Sequence, residues 1–166
     1  MKKYTANGFT LMEVMITVVI VGILAAIGYP SYIKFVTESR RSDATINLTR
    51  IAALQEKNFT ECGRYANILA ITPTPRNCVG GIMDAGLMAG GLTRDGNYVI
   101  TAVVTPGPAP LNAPGGGGFT LTATPAGLQA GRDGLKCATL TINEAGQKTA
   151  TGTEGNPVDG GRCWKK

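Results

Sequence analysis

The sequence predicts an α+β chain in which one long N-terminal helix carries an antiparallel sheet on its C-terminal half. Three observations predict it. Residues 9–29 read FTLMEVMITVVIVGILAAIGY, an apolar run with a single charge, Glu13. Helical spacing of apolar residues continues past Pro30 to about Asn58. The second half of the chain holds short runs of alternating apolar and hydroxyl-bearing residues between turns rich in Gly and Pro. With 166 residues, 43% hydrophobic and 16% charged, the chain is too apolar for disorder and has room for one domain plus an appendage.

The N-terminal run comes first. As a helix, residues 9–29 would extend roughly 32 Å, close to the hydrocarbon thickness of a bilayer. The run follows a short basic leader, MKKYTANG. Three readings compete for it: a signal peptide cut after Gly28, a plain signal anchor, and a segment cut before the run so that the run is kept. Glu13 discriminates among them. A carboxylate in mid-span costs roughly 2.5–3.5 kcal/mol on insertion scales, and an ordinary signal peptide has no use for one.

Pro30 should kink the helix without ending it. Beyond it Ala44, Leu48, Ile51, Ala52 and Phe59 fall near one stripe. Lys34, Glu38, Arg41, Asn47, Arg50 and Lys57 lie largely away from that stripe. The expected helix therefore runs from Phe9 to about Asn58, apolar all round in its first half and amphipathic in its second. From Glu61 to about Asp95 turns dominate, with a short helix expected near Ala66–Ile71. Strands are expected over Asn97–Thr105, Phe119–Thr124 and Lys136–Asn143, with a short fourth over Lys148–Gly152. In them Tyr98, Ile100, Ala102 and Val104, then Phe119, Leu121 and Ala123, then Leu140 and Ile142, take the inward face. A one-faced sheet needs a cover, and the amphipathic half of the helix is the long cover the chain offers.

Lys2 and Lys3 flank one side of the apolar run, and Lys34, Arg40 and Arg41 the other, so basic residues leave its orientation undecided. The cysteines decide it. Cys62, Cys78, Cys137 and Cys163 all lie on the C-terminal side, and an even number in a small loop-rich domain points to disulfides in an oxidising compartment. Three pairings are open, and local loop closure favours Cys62–Cys78 with Cys137–Cys163.

The chain has no histidine, which excludes His-based triads and His-containing zinc sites. It also lacks GxSxG and Walker motifs, and the glycine run 115–118 has no following Lys-Ser/Thr. No catalytic residue, cofactor site or metal site is expected; Asp95-Gly96-Asn97 reads as a turn rather than a calcium loop. The net charge of +5 falls by two without Lys2 and Lys3, too mild to imply a nucleic-acid partner.

Gly8-Phe9-Thr10-Leu11-Met12-Glu13 resembles the cleavage and methylation signature of type IV pilins and related pseudopilins. The resemblance continues through Val14–Ala26 to Pro30-Ser31-Tyr32. It implies the type IV pilin fold and a dedicated peptidase that cuts between Gly8 and Phe9 and methylates Phe9. It also implies a helix kink at Pro30 and an assembly role for Glu13, paired with the Phe9 amine of a neighbouring subunit. Residues 1–8 would be the removed leader, 9–29 the transmembrane and filament-core helix, 30–60 the amphipathic helix, and 61–166 the head. The implied partners are other pilin subunits, the peptidase/methyltransferase and the inner-membrane assembly platform. The head would be periplasmic before assembly and extracellular afterwards, in a pilus serving adhesion or twitching motility.

The second half carries a finer resemblance. Gly118–Gly127 (GFTLTATPAG), the Cys-x-x-Leu-Thr-Ile-Asn-x-x-Gly run from Cys137, Cys163-Trp164 and Ser39–Ala44 (SRRSDA) are similar to PilE-type minor pilins. The Cys137–Cys163 pair resembles the C-terminal disulfide loop of pilins. Stretches 106–118 and 152–161 look enlarged relative to that group. Some minor pilins related to it act as receptors in DNA uptake, which makes Arg132, Lys136, Lys148, Arg162, Lys165 and Lys166 candidate DNA contacts. Interspersed acids, Asp133, Glu144, Glu154 and Asp159, make a solvated positive face the plainer reading. The expected function is thus a minor pilin, with a DNA-uptake receptor and a type II secretion pseudopilin as alternatives.

Overall fold

The computed structural model describes residues 8–66, 68–70, 82–105, 117–133, 136–152 and 163–164. It is α+β, with one 52-residue helix and a four-stranded antiparallel sheet. The chain divides into two compact units, Met1–Val36 and Thr37–Lys166.

In the first unit the described residues are helical from Leu11, the start of α1 (Leu11–Cys62). Residues 8–32 are all exposed, including Leu11, Val14, Ile20 and Leu24. α1 is helical through Pro30, whose missing N–H leaves the Ala26 carbonyl without its intrahelical donor.

In the second unit α1 presents Thr37, Ala44, Leu48, Ile51 and Gln55 as buried residues. Ala44, Leu48 and Ile51 of the expected stripe are thus buried, Ala52 and Phe59 are half-buried, and two polar residues, Thr37 and Gln55, are buried with them. The helix also runs four residues beyond Asn58. It stops at Cys62 because Gly63 takes φ +66° and returns its N–H to the Phe59 carbonyl at 2.7 Å, a glycine cap that no L side chain adopts as cheaply. Gln55 then ties down the chain that leaves the helix. Its Nε2 donates to the Ala66 carbonyl (2.6 Å), and its Oε1 accepts from the Ala66 N–H (2.8 Å). Phe59 stacks on Tyr65 with centroids 4.7 Å apart, and Tyr65 meets the edge of Phe119 at 4.9 Å.

The short helix expected near Ala66–Ile71 is not formed. Ile68–Ala70 is a strand, β1, paired in parallel with β2 (Ile82–Asp84) in the register Ile68↔Ile82. A run this short cannot repay helix nucleation, whereas a neighbouring strand satisfies its backbone at once.

The main sheet is a meander of β3 (Tyr98–Thr105), β4 (Gly118–Pro125), β5 (Thr139–Asn143) and β6 (Lys148–Thr151), hydrogen-bonded in that order. Register pairs Ile100 with Ala123, Leu121 with Ile142, and Leu140 with Ala150. Each pair puts its side chains on the inward face, as the two-residue alternation requires. Tyr98, Ile100, Phe119, Leu121, Leu140 and Ile142 join Leu48 and Ile51 of α1 in one apolar core. The outer face is largely threonine: the hydroxyls of Thr139 and Thr151 pair across β5 and β6, as do those of Thr141 and Thr149.

Two connections frame the sheet. A single 3-10 turn, Ala89–Gly91, precedes β3. Gly91 sits at φ +79°, and a Cβ there would strike the Ile100 carbonyl oxygen, so close approach as well as backbone conformation demands glycine. Between β4 and β5 lies α2 (Leu128–Asp133), which the periodicity of the sequence does not announce. β5 starts three residues later than expected. The Lys136 and Cys137 amides, read as strand from the sequence, instead donate to the Asp133 carbonyl at 3.0 and 2.8 Å and close the end of α2.

Candidate functional site

The residues singled out in the sequence as functional fall in two places, and the structure adds a third. The first is the start of α1. Gly8, Phe9 and Thr10 are non-helical, and Phe9 is 83% exposed. Thr10 Oγ1 accepts the Glu13 N–H at 3.2 Å, and the Thr10 carbonyl accepts the Val14 N–H at 3.3 Å. Thr10 is therefore the N-cap, with its side chain satisfying a donor that a helix end leaves open. Glu13 lies in the first turn, where a carboxylate faces the positive end of the helix dipole. From here α1 carries an apolar window long enough to cross a bilayer, none of it buried in the protein. A helix apolar on every side and buried on none lacks its surroundings, and lipid or other helices are the environments that suit it.

The second place is the end of the chain. Cys137 and Cys163 are disulfide-bonded, closing a sequence separation of 26, the pairing that local closure favoured. Cys62 is also disulfide-bonded; Cys78, its favoured partner, lies outside the described residues. Of the six basic residues considered for DNA, Arg132 is exposed on α2, Lys136 is exposed just after it, and Lys148 opens β6. Lys148 Nζ stands 5.2 Å from the centroid of the Trp164 ring, and Trp164 Nε1 donates to the Thr149 carbonyl at 2.8 Å. Arg162, Lys165 and Lys166 lie outside the described residues, as do residues 1–7 of the leader, most of the 106–118 stretch, and 153–161 of the second enlarged stretch.

The third place was missed by sequence reasoning. Arg41, read as an outward-facing residue of α1, turns toward the sheet and binds Asp133. Its Nε donates to both carboxylate oxygens, at 2.7 and 2.8 Å, and its terminal nitrogen also contacts Oδ1. Tyr98 donates its hydroxyl to Asp133 Oδ2 at 2.8 Å. Gln129 Nε2 reaches the Thr37 carbonyl (3.2 Å), the Tyr98 hydroxyl (3.3 Å) and Asp133 Oδ2 (3.3 Å). Asp133, Gln129 and Tyr98 are fully buried. The Asp133 hydrogen bond holds the Arg41 guanidinium above its usual range, and burial together with Asp133 pushes the Tyr98 hydroxyl well up. The cluster joins α1, β3 and α2 by polar contacts under one roof. The SRRSDA run, noted for its similarity to PilE-type minor pilins, contains Arg41 but gives no sign that it turns inward. The cluster's polar groups bind one another, except that the buried Gln129 Oε1 has no hydrogen-bond partner among the described residues, and the contacts hold α1, β3 and α2 together. Nearby, burial and then the Asp95 charge raise the Asp43 carboxyl above the ordinary carboxylate range, with Asn47 Nδ2 donating to its Oδ1 at 2.8 Å. Among the described residues no group of three or more Cys, Asp or Glu side chains is placed to hold a metal ion.

Comparison with known proteins agrees with the geometry. Residues 4–29 match the family described as prokaryotic N-terminal methylation motif. Residues 30–141 match the family described as type IV minor pilin ComP, DNA uptake sequence receptor. The chain is 45% identical over 77 residues to the type IV major pilin protein PilA of Myxococcus xanthus, covering 45% of this chain and 35% of the relative. It is 50% identical over 44 residues to fimbrial protein EcpC of Eikenella corrodens, covering 26% and 29%. With fimbrial protein Q of Moraxella bovis it shares 31% identity over 107 residues, covering 59% and 68%. The chain thus spans about a third of the length of the first two relatives and about two thirds of the third. Matched over more than half its length and built as a helix with a four-stranded meander, the chain belongs to the type IV minor pilin family described as ComP, DNA uptake sequence receptor.

Proposed function

We propose that the chain is a minor subunit of a type IV pilus, with no catalytic step of its own. A dedicated peptidase cuts it between Gly8 and Phe9 and methylates Phe9. The segment 9–29 holds the precursor in the inner membrane with the head outside the cytoplasm, and then packs against the same segment of neighbouring subunits as the filament assembles. The observation that carries this reading is the apolar start of α1, exposed on every side. It needs lipid before assembly and sister helices after it. Glu13 supplies the register: a carboxylate in an apolar bundle seeks a cation, and the Phe9 amine of the next subunit is one. The relatives named above, pilins and fimbrial proteins, favour a pilus over a type II secretion pseudopilus.

The test has two readouts. N-terminal sequencing of the mature chain should begin at Phe9, and the chain should be present in sheared pili. Glu13→Val should be cleaved and fold normally yet be depleted from the filament. A mature chain beginning at Tyr29, or full incorporation of Glu13→Val, would overturn the respective half of the reading.

A second reading, a receptor in DNA uptake, is favoured by the family match over residues 30–141. Arg132, Lys136 and Lys148 are exposed and are the described residues suited to phosphate contacts. A gel shift with the detergent-solubilised chain at two salt concentrations tests it. Binding should weaken steeply with salt, and further when Arg132 and Lys136 are replaced by Ala.

A further inference from the structure

We propose that Thr10 is a positioning residue for the processing step, stopping α1 short of the bond to be cut and keeping that bond in open backbone. This inference rests on the processing reading above. The reaction adds water across the Gly8–Phe9 amide, leaving the Gly8 carboxylate and the Phe9 amine. The carbonyl to be attacked is therefore that of Gly8, and a peptidase has to polarise its oxygen and reach both sides of the bond.

A helix start sits two residues away, and helices tend to extend to the nearest good cap. In an α-helix each N–H donates four residues back, so one more turn of growth would send the Glu13 N–H to the Phe9 carbonyl and the Met12 N–H to the Gly8 carbonyl. Growth of that kind would occupy the oxygen the peptidase must polarise. The Thr10 hydroxyl takes the Glu13 N–H instead, at 3.2 Å. Leu11 is consequently the first helical residue, Gly8–Thr10 stay non-helical, and Phe9 stands 83% exposed. Among the described residues a Cβ placed on Gly8 would meet no atom within 4 Å, so none of them crowds the bond on that side.

The need for Thr10 comes from the residues before it. Asn7 and Gly8 are both good N-cap types, Asn at least as good as Thr. Without the Thr10 hydroxyl the helix start can move back to either of them and run through Phe9. The side chain two residues past the cut thus decides whether the bond is presented as open chain or as the first turn of a helix.

The experiment uses the full chain in detergent micelles with purified prepilin peptidase, measuring kcat and KM for cleavage. Thr10→Val keeps the shape and removes the hydroxyl. Thr10→Ser and Thr10→Asn keep a capping oxygen. Cleavage of Thr10→Val should slow roughly fivefold, the population shift set by loss of one cap, while Ser and Asn stay within about twofold of the parent. Amide hydrogen exchange supplies the second readout: the Met12 N–H should be open in the parent and protected in Thr10→Val. Two outcomes overturn the proposal. Thr10→Val cleaved at the parental rate means the helix start does not gate the bond. Thr10→Asn as slow as Thr10→Val means the peptidase reads threonine itself. A parent chain not cut between Gly8 and Phe9 removes the processing reading, and this inference with it.

Discussion

Arg41 and Asp133 lie ninety-two residues apart in sequence, and the guanidinium of one grips the carboxylate of the other from α1 to the end of α2. The Asp133 side chain is fully buried and that of Arg41 is 14% exposed, so neither charge has water as a ready substitute partner. Tyr98 and Gln129 complete the acceptor's shell. The expected consequence is asymmetry. Asp133→Ala leaves a poorly solvated guanidinium and a Tyr98 O–H without its acceptor, and should cost about 3–5 kcal/mol. Arg41→Met combined with Asp133→Leu should cost less than the sum of the two single changes. Urea unfolding followed through Trp164, the sole tryptophan, measures the cycle; additive effects would mean the two residues are not coupled.

Tyr98 makes the same cluster sensitive to alkali. Burial first, then the Asp133 contact, raises its hydroxyl above the ordinary tyrosine value. Above about pH 10 the unfolded chain ionises this tyrosine and the folded chain does not, so the folded state binds more protons there. Stability should therefore fall as pH rises from that point. Tyr98→Phe should flatten this decline, and an ultraviolet titration should show one tyrosine ionising only on unfolding.

Asp43 gives a slope on the acid side. Its carboxyl is raised by burial and then by Asp95. A carboxyl that holds its proton more tightly when folded makes the folded state the better proton binder above the unfolded value. Its contribution is thus a loss of stability as pH rises from about 4 through the raised value. Asp43→Asn should melt higher than the parent at pH 7, and the difference should vanish toward pH 3. An equal difference at both pH values would mean the charge is not the cause.

The Cys137–Cys163 bond closes a loop of sequence separation 26, which in the chain-entropy picture amounts to about 3.5 kcal/mol. Cys137 also donates its amide to the Asp133 carbonyl, so the bond lies one contact from the Arg41 cluster. Cys137→Ser with Cys163→Ser should lower stability by about that amount, read by urea unfolding. Trp164, adjacent to Cys163 and bonded to β6, should lose its fluorescence anisotropy in the same variant.

The parts of this fold that a one-dimensional pattern can specify are legible in the sequence. The apolar run 9–29 is told by its length and the GFTLME start by its motif, whereas the stripe Ala44–Leu48–Ile51 and the alternation in Phe119–Ala123 repeat with the period of the element they form, because burial of one face imposes that period. Arg41 shows where this ends. Its position on the helix wheel reads as outward, and a charged residue turns inward once a buried acid waits there. Asp133 is brought to it by α2, the short helix after β3 and β4 that no local pattern announces. Ile68–Ala70 behaves likewise: its own residues allow helix or strand, and the choice falls to Ile82–Asp84, a parallel neighbour supplied by tertiary folding. Gln55 is a third case, a polar residue in the core because the chain leaving α1 returns Ala66 to it. Periodicity records which side of an element meets apolar surface, whereas pairing between polar groups depends on the partner's arrival, and that is settled by the packing of the whole head.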